Sequence, residues 1–153
     1  MMEIFARERT GIRVRLPKGL ARFLSDVPGV LATVGLDADD PAAPRMNVPV
    51  YLDDPGSNAE YWRWTASDLD GGRRDDRSIF VRVVESAGAP KGIVVSEDEA
   101  AALLRVLAET RLVLAARMGI EVESDYEQMD EAQSEVLDLL AHLQLLLINE
   151  LSA

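Results

Sequence analysis

The chain reads as a mainly α protein: a single-domain helical bundle with a small N-terminal β-hairpin or sheet. Three observations predict this. Apolar residues recur at helical spacing over most of the sequence beyond residue 17. Strand-like alternation is confined to residues 4–16 and a short run at 93–95. At 153 residues, 48% apolar and 28% charged, the chain is long enough for one sizeable core and too apolar to stay disordered. Aromatic residues make up only 5%, so Leu, Val, Ile and Ala must build that core.

Taken in order, residues 4–16 alternate on both sides of Thr10-Gly11, the pattern of a hairpin. Ile12, Val14 and Leu16 share one face and Arg13 and Arg15 the other, while Phe5, Arg7 and Arg9 alternate less cleanly. Pro17 suits a first helical position, because its missing N–H is not needed there. Leu20, Phe23, Leu24, Val27 and Leu31 then space a helix over 17–35, which Pro28-Gly29 should kink or break. Residues 36–58, rich in Asp, Pro, Ala and Asn, form the longest irregular connection.

Ser57 or Asn58 caps a short helix over 57–64 that holds Tyr61, Trp62 and Trp64, read as packing residues. Thr65 with Asp68 resembles a capping box for a helix over 66–87, carried by Leu69, Ile79, Phe80, Val83 and Val84. Gly71-Gly72 within it costs about 1 kcal/mol per residue relative to Ala, which argues for a helix that starts properly only after them. Ile93–Val95 is a further short strand, expected to pair with the hairpin. Ser96-Glu97-Asp98-Glu99 is a clear capping box for a helix over 97–118, with Gly119 just past its end. A last helix is expected over 126–151. No repeat and no second domain is visible.

Charge is split rather than spread. The first 25 residues carry six basic residues (Arg7, Arg9, Arg13, Arg15, Lys18, Arg22) against Glu3 and Glu8, while the whole chain stands at −11. Beyond Arg117 there are nine Asp or Glu and no Lys or Arg. Such asymmetry speaks of oriented partners more than of chemistry. The absence of cysteine removes disulfides, thiolate ligands, cysteine nucleophiles and any thiol switch. With no signal-like segment and no run of about 18 apolar residues, a cytoplasmic protein is expected.

No catalytic constellation stands out, so the expectation is a non-enzymatic protein without metal or cofactor. Arg111 is the most informative single residue. On a helical wheel it lies beside Ala100, Leu103, Leu107, Leu114 and Met118, which predicts a guanidinium at least partly buried. A buried Arg needs a carboxylate, and Asp53, Asp54 and Glu60 are the candidate partners of a structural ion pair. A ligand-binding role for Arg111 is the alternative.

His142, the only histidine, follows Asp138 by four residues and is read as a surface or interface histidine, since nothing supplies it with a nucleophile or substrate. The clusters Asp37-Asp39-Asp40 and Glu121-Glu123-Asp125-Glu127 lack the spacing of a calcium loop and are read as solvated. The last helix is apolar over much more than half its circumference. Either it is the central helix of the bundle, or another chain covers part of it, as in a homodimer. Arg7, Arg9, Arg13 and Arg15 are expected along one face of the hairpin, as a surface for a protein partner or for nucleic acid. DNA is the weaker choice, because the rest of the molecule repels a duplex and no basic recognition helix is visible.

Several segments together resemble a known family: Pro49-x-Tyr51-x-Asp53-Asp54, the run EYWRWTASDL from Glu60 to Leu69, LAETRLVLAARMGI from Leu107 to Ile120, and the terminal HLQLLLINEL. In these the chain is similar to an actinobacterial family long filed as a domain of unknown function and labelled oxidative-stress transcriptional regulator AosR. The resemblance runs over most of the chain. It implies a cytosolic regulator acting through proteins of the transcription machinery, with sigma factors as natural partners. It also implies a link to Clp proteolysis, through a protease adaptor encoded nearby in members. Redox sensing in that family relies on cysteine, which this chain lacks. Ala115 and Gly71-Gly72 also depart from the family pattern.

Overall fold

The computed structural model describes residues 3–46, 72–120 and 130–153, and they form a mainly α structure with a small antiparallel sheet. Strands β1 (Phe5–Glu8) and β2 (Gly11–Val14) make the expected hairpin, with Glu8 opposite Gly11 and Arg9-Thr10 as its two-residue turn. Strand β3 (Ile93–Val95) pairs antiparallel with β2, giving the order β1-β2-β3. Glycines close both ends of the β2–β3 pair because the strands approach too tightly there for any side chain. A Cβ on Gly11 would lie 2.1 Å from the Val95 carbonyl oxygen, and one on Gly92 2.1 Å from that of Val14. Gly92 also has φ +65°, a left-handed conformation that favours glycine.

Pro17 is the N-cap of α1 (Lys18–Ser25) rather than its first residue. The break in the expected 17–35 helix falls at Asp26, and α2 (Val27–Ala32) starts afresh with Pro28 in its first turn, where proline is tolerated. A one-turn helix, α3 (Ala43–Met46), interrupts the connection read as irregular. Residues 72–87 are helical and form α4. The expected helix 57–64, the start of the 66–87 helix and the first residues of the 126–151 helix lie outside the described residues.

Helix α5 (Glu97–Arg117) begins with the predicted capping box: Ser96 Oγ accepts from the Glu99 N–H at 3.1 Å, and Glu99 Oε1 accepts from the Ser96 N–H at 2.9 Å. It ends in a Schellman arrangement. Gly119 N donates to the Ala116 carbonyl and Ile120 N to that of Ala115, with Gly119 at φ +78°. Helix α6 (Glu131–Leu151) starts at the Asp130 cap, whose Oδ1 accepts from Gln133 N at 2.8 Å.

The sheet lies against the helices through Phe5, Ile12, Val14 and Val95, and the core continues into Phe80, Val83, Leu103, Val106, Leu140, Leu143 and Leu147. A void of about 20 Å³ lies between Phe5, Leu16, Leu24 and Phe80. The α5 N-terminus and the α6 C-terminus meet beside β1, where Arg7 reaches both, so the two long helices run antiparallel. No helix of the described residues is long and apolar enough to cross a membrane.

Candidate functional site

Arg111 does not sit in the core. It is exposed, and its Nη1 donates to Gln144 Oε1 of α6 at 2.9 Å. The buried stripe of α5 runs through Ala100, Leu103, Val106, Leu107, Thr110, Val113 and Ala116; it shares Ala100, Leu103 and Leu107 with the arc read off the sequence but turns to the side away from Arg111. The misreading has a physical cause: α5 carries Ala and Leu around most of its circumference, so the apolar pattern points weakly to any one face. Asp53, Asp54 and Glu60 lie outside the described residues.

The four hairpin arginines do not share a face. Cross-strand partners project to the same side of an antiparallel sheet, and the pairs Phe5–Val14 and Arg7–Ile12 put Arg7 on the core side, whereas Arg13 pairs with Ala6 on the other. Arg7 clasps the end of α6. Its guanidinium donates to Glu97 at 2.7 Å and to the carbonyls of Leu151 and Ala153, and its backbone N–H donates to Glu150. The Leu151 carbonyl is one that a helix C-terminus leaves unpaired, at its negative dipole end.

Arg13 forms a two-pronged pair with Glu8 and donates to the Lys91 carbonyl at 2.7 Å. The Arg13 hydrogen bond is the main reason that the Glu8 carboxyl is held below its usual range. Arg15 is partly buried and Arg9 exposed. Two of the six basic residues of the head, Arg7 and Arg13, are thus spent on the protein's own carboxylates and carbonyls.

Sequence reading missed the most enclosed charge among the described residues. Asp40, assigned to a solvated acidic cluster, is only 9% exposed. Its carboxylate accepts from the N–H groups of Gly35 and Ala42, and from Arg117 Nη2 at 2.9 Å. Arg117 first, then the two backbone donors, hold the Asp40 carboxyl far below the ordinary carboxylate range. A signal was present: Arg117 falls in step with Val106, Thr110 and Val113 at spacings of three and four, so a cation on that stripe needed a partner. A second set of pairs joins α4 to α5: Asp76 with Arg105, Arg77 with Glu109 and Arg82 with Glu99.

The two long helices leave a groove of about 350 Å³ lined by Ala108, Arg111, Leu112, Ala115, Ile120, Leu137 and Gln144. Leu112, 39% exposed, lines it, and Ile148 at 43% and Leu145 at 56% are exposed elsewhere on α6. Helix α6 is therefore not the central helix of a bundle. It buries one stripe through Leu137, Leu140, Leu143 and Leu147 and turns other apolar residues outward. His142 is exposed on the same helix, and Asp138 Oδ2 accepts from Ser134 Oγ. Among the described residues no three His, Asp or Glu side chains gather as a set that could hold a metal ion.

This arrangement, with ion pairs that join its elements and a groove between two long helices, defines a mainly α protein with a small antiparallel sheet. The chain belongs to the family described as a domain of unknown function, DUF2017, whose model matches residues 2–151. Comparison with curated proteins and with solved structures finds no match to either.

Proposed function

We propose that this chain is a non-enzymatic interaction protein that binds a protein partner through the α5–α6 groove. The observation that carries the reading is the exposure of Leu112 in that groove and of Leu145 and Ile148 on α6, the helix that forms its other wall. Apolar side chains left exposed beside a groove make it a candidate interaction surface. The resemblance to the AosR-labelled regulators adds a setting: transcription under stress, with a sigma factor or a component of Clp proteolysis as the partner, in the cytoplasm. The reading assigns no catalytic residue, cofactor or metal.

A homodimer through the C-terminal helix uses the same exposed face and is the second reading. Direct DNA binding by the hairpin has less support, because Arg7 and Arg13 are engaged within the molecule. The test is affinity capture of the tagged protein from its own cells, eluted with salt, beside a Leu145→Asp/Ile148→Asp variant. Retention of a transcription or proteolysis component by the parent and its loss from the variant supports the reading. Equal retention by both places the binding surface elsewhere.

A further inference from the structure

We infer that the α5–α6 groove takes an amphipathic helix of a partner protein, one that carries an apolar stripe flanked on one side by Lys or Arg. This rests on the proposed reading of the groove as a binding surface and names the chemistry of its occupant.

The geometry of α6 carries the argument. At about 100° per residue, Gln144, Ile148, Ala141 and Leu145 follow one another around the helix within roughly 100°, and Asp138 and Glu131 come just beyond. Leu145, Ile148, Asp138 and Glu131 are all exposed. Around α6, the groove-lining Gln144 is thus followed by Ile148, Ala141 and Leu145, and then by two carboxylates. Across the groove, α5 offers Leu112 between Ala108 and Ala115, small residues that let a second backbone come close. A helix laid along such a floor would read it with residues at i, i+3, i+4 and i+7.

Charge decides between occupants. Helix α6 carries Glu131, Glu135, Asp138 and Glu150 and no Lys or Arg. A second copy docked helix to helix would bring another α6, with four carboxylates and no Lys or Arg, against the first in a molecule already at −11. A helix with basic residues on the Asp138–Glu131 side meets opposite charge and gains in encounter rate as well. Arg111, held by Gln144, keeps further donors for a carbonyl or carboxylate of the occupant on the inner side.

The test uses the full chain and a fluorescent 18-residue peptide of Leu and Lys, with leucines at helical spacing and lysines on one flank, read by anisotropy. A peptide of the same composition with scrambled order is the control. Saturable binding of the patterned peptide is expected, at least tenfold tighter than the scrambled one. Leu145→Asp/Ile148→Asp should weaken it at least tenfold, and so should Glu131→Lys/Asp138→Lys, with unchanged melting showing that both variants fold.

Equal binding of the two peptides, or binding untouched by both variants, overturns the inference. Sedimentation showing a dimer that Leu145→Asp/Ile148→Asp dissolves also overturns it, in favour of a second copy. Loss of a captured cellular partner from that variant, with no peptide binding, would leave the groove as the interface and reject only the basic helix.

Discussion

Arg117 and Asp40 meet across 77 residues of sequence: Nη2 lies 2.9 Å from Oδ2, and Nε 3.3 Å from Oδ1. The pair ties the turn after α2 to the last turn of α5, and Arg117 also donates to Thr33 Oγ1 at 2.9 Å. Because Asp40 additionally accepts from Gly35 and Ala42, its removal strands two backbone donors, while the exposed Arg117 keeps Thr33 Oγ1. Breaking one side of an enclosed pair is far more damaging than losing a surface pair. Asp40→Ala should therefore lower the melting temperature by roughly 5–10 °C. Asp40→Asn, which keeps an acceptor oxygen, should fall between it and the parent. Calorimetry of the three proteins checks this.

Acid should act through the same carboxylate. Asp40, Glu99 and Glu8 all have carboxyls held below their usual range, by Arg117, by the Ser96 N–H with Arg82, and by Arg13 respectively. A carboxyl whose pKa is lower in the folded state stabilises the fold above its unfolded pKa of about 4, and that contribution is lost as pH falls towards the folded value. The urea midpoint should thus be level from neutral pH down to about 5 and drop steeply below about 4. Asp40→Asn should flatten part of the drop.

Glycine substitutions should separate by location. Gly11→Ala and Gly92→Ala force a Cβ against a carbonyl oxygen of the neighbouring strand, and each should cost more than about 2 kcal/mol. Gly19 in α1 and Gly29 in α2 have open space where a Cβ would go, so Ala there should stabilise by about 0.4–1 kcal/mol. Denaturant unfolding of the four variants decides it.

The hairpin arginines should differ in the same way. Arg7→Ala removes the clasp on the α6 carbonyls and on Glu97, and should cost about 1–2 kcal/mol with faster amide exchange in the last turn of α6. Arg9→Ala, at the exposed turn, should stay within about 0.5 kcal/mol of the parent. Equal effects at the two positions would contradict the register that puts Arg7 on the core side.

What could be read from the sequence was local. The hairpin around Thr10-Gly11, the strand Ile93–Val95, the Ser96 capping box and the Gly119 stop each depend on a few adjacent residues whose backbone chemistry permits little else. What escaped was long-range pairing. Nothing near Asp40 in the sequence says that Arg117 faces it, and nothing in α4 says which of its charges meets α5. Arg111 was misplaced because Leu and Ala surround α5 and leave its orientation to tertiary packing. The last helix posed the opposite problem. Its apolar excess was plain, but whether the fold covered it depended on neighbours, and Leu145 and Ile148 face outward.

The most direct measurement is photo-crosslinking in living cells with benzoylphenylalanine at position 145, beside the same probe at Glu85 on the exposed side of α4. The account predicts an adduct from position 145 and none from 85, with the crosslinked peptide mapping to a Lys- or Arg-flanked amphipathic helix of another protein. An adduct formed equally from both positions, no adduct at 145, or one only between two copies of this chain would contradict it.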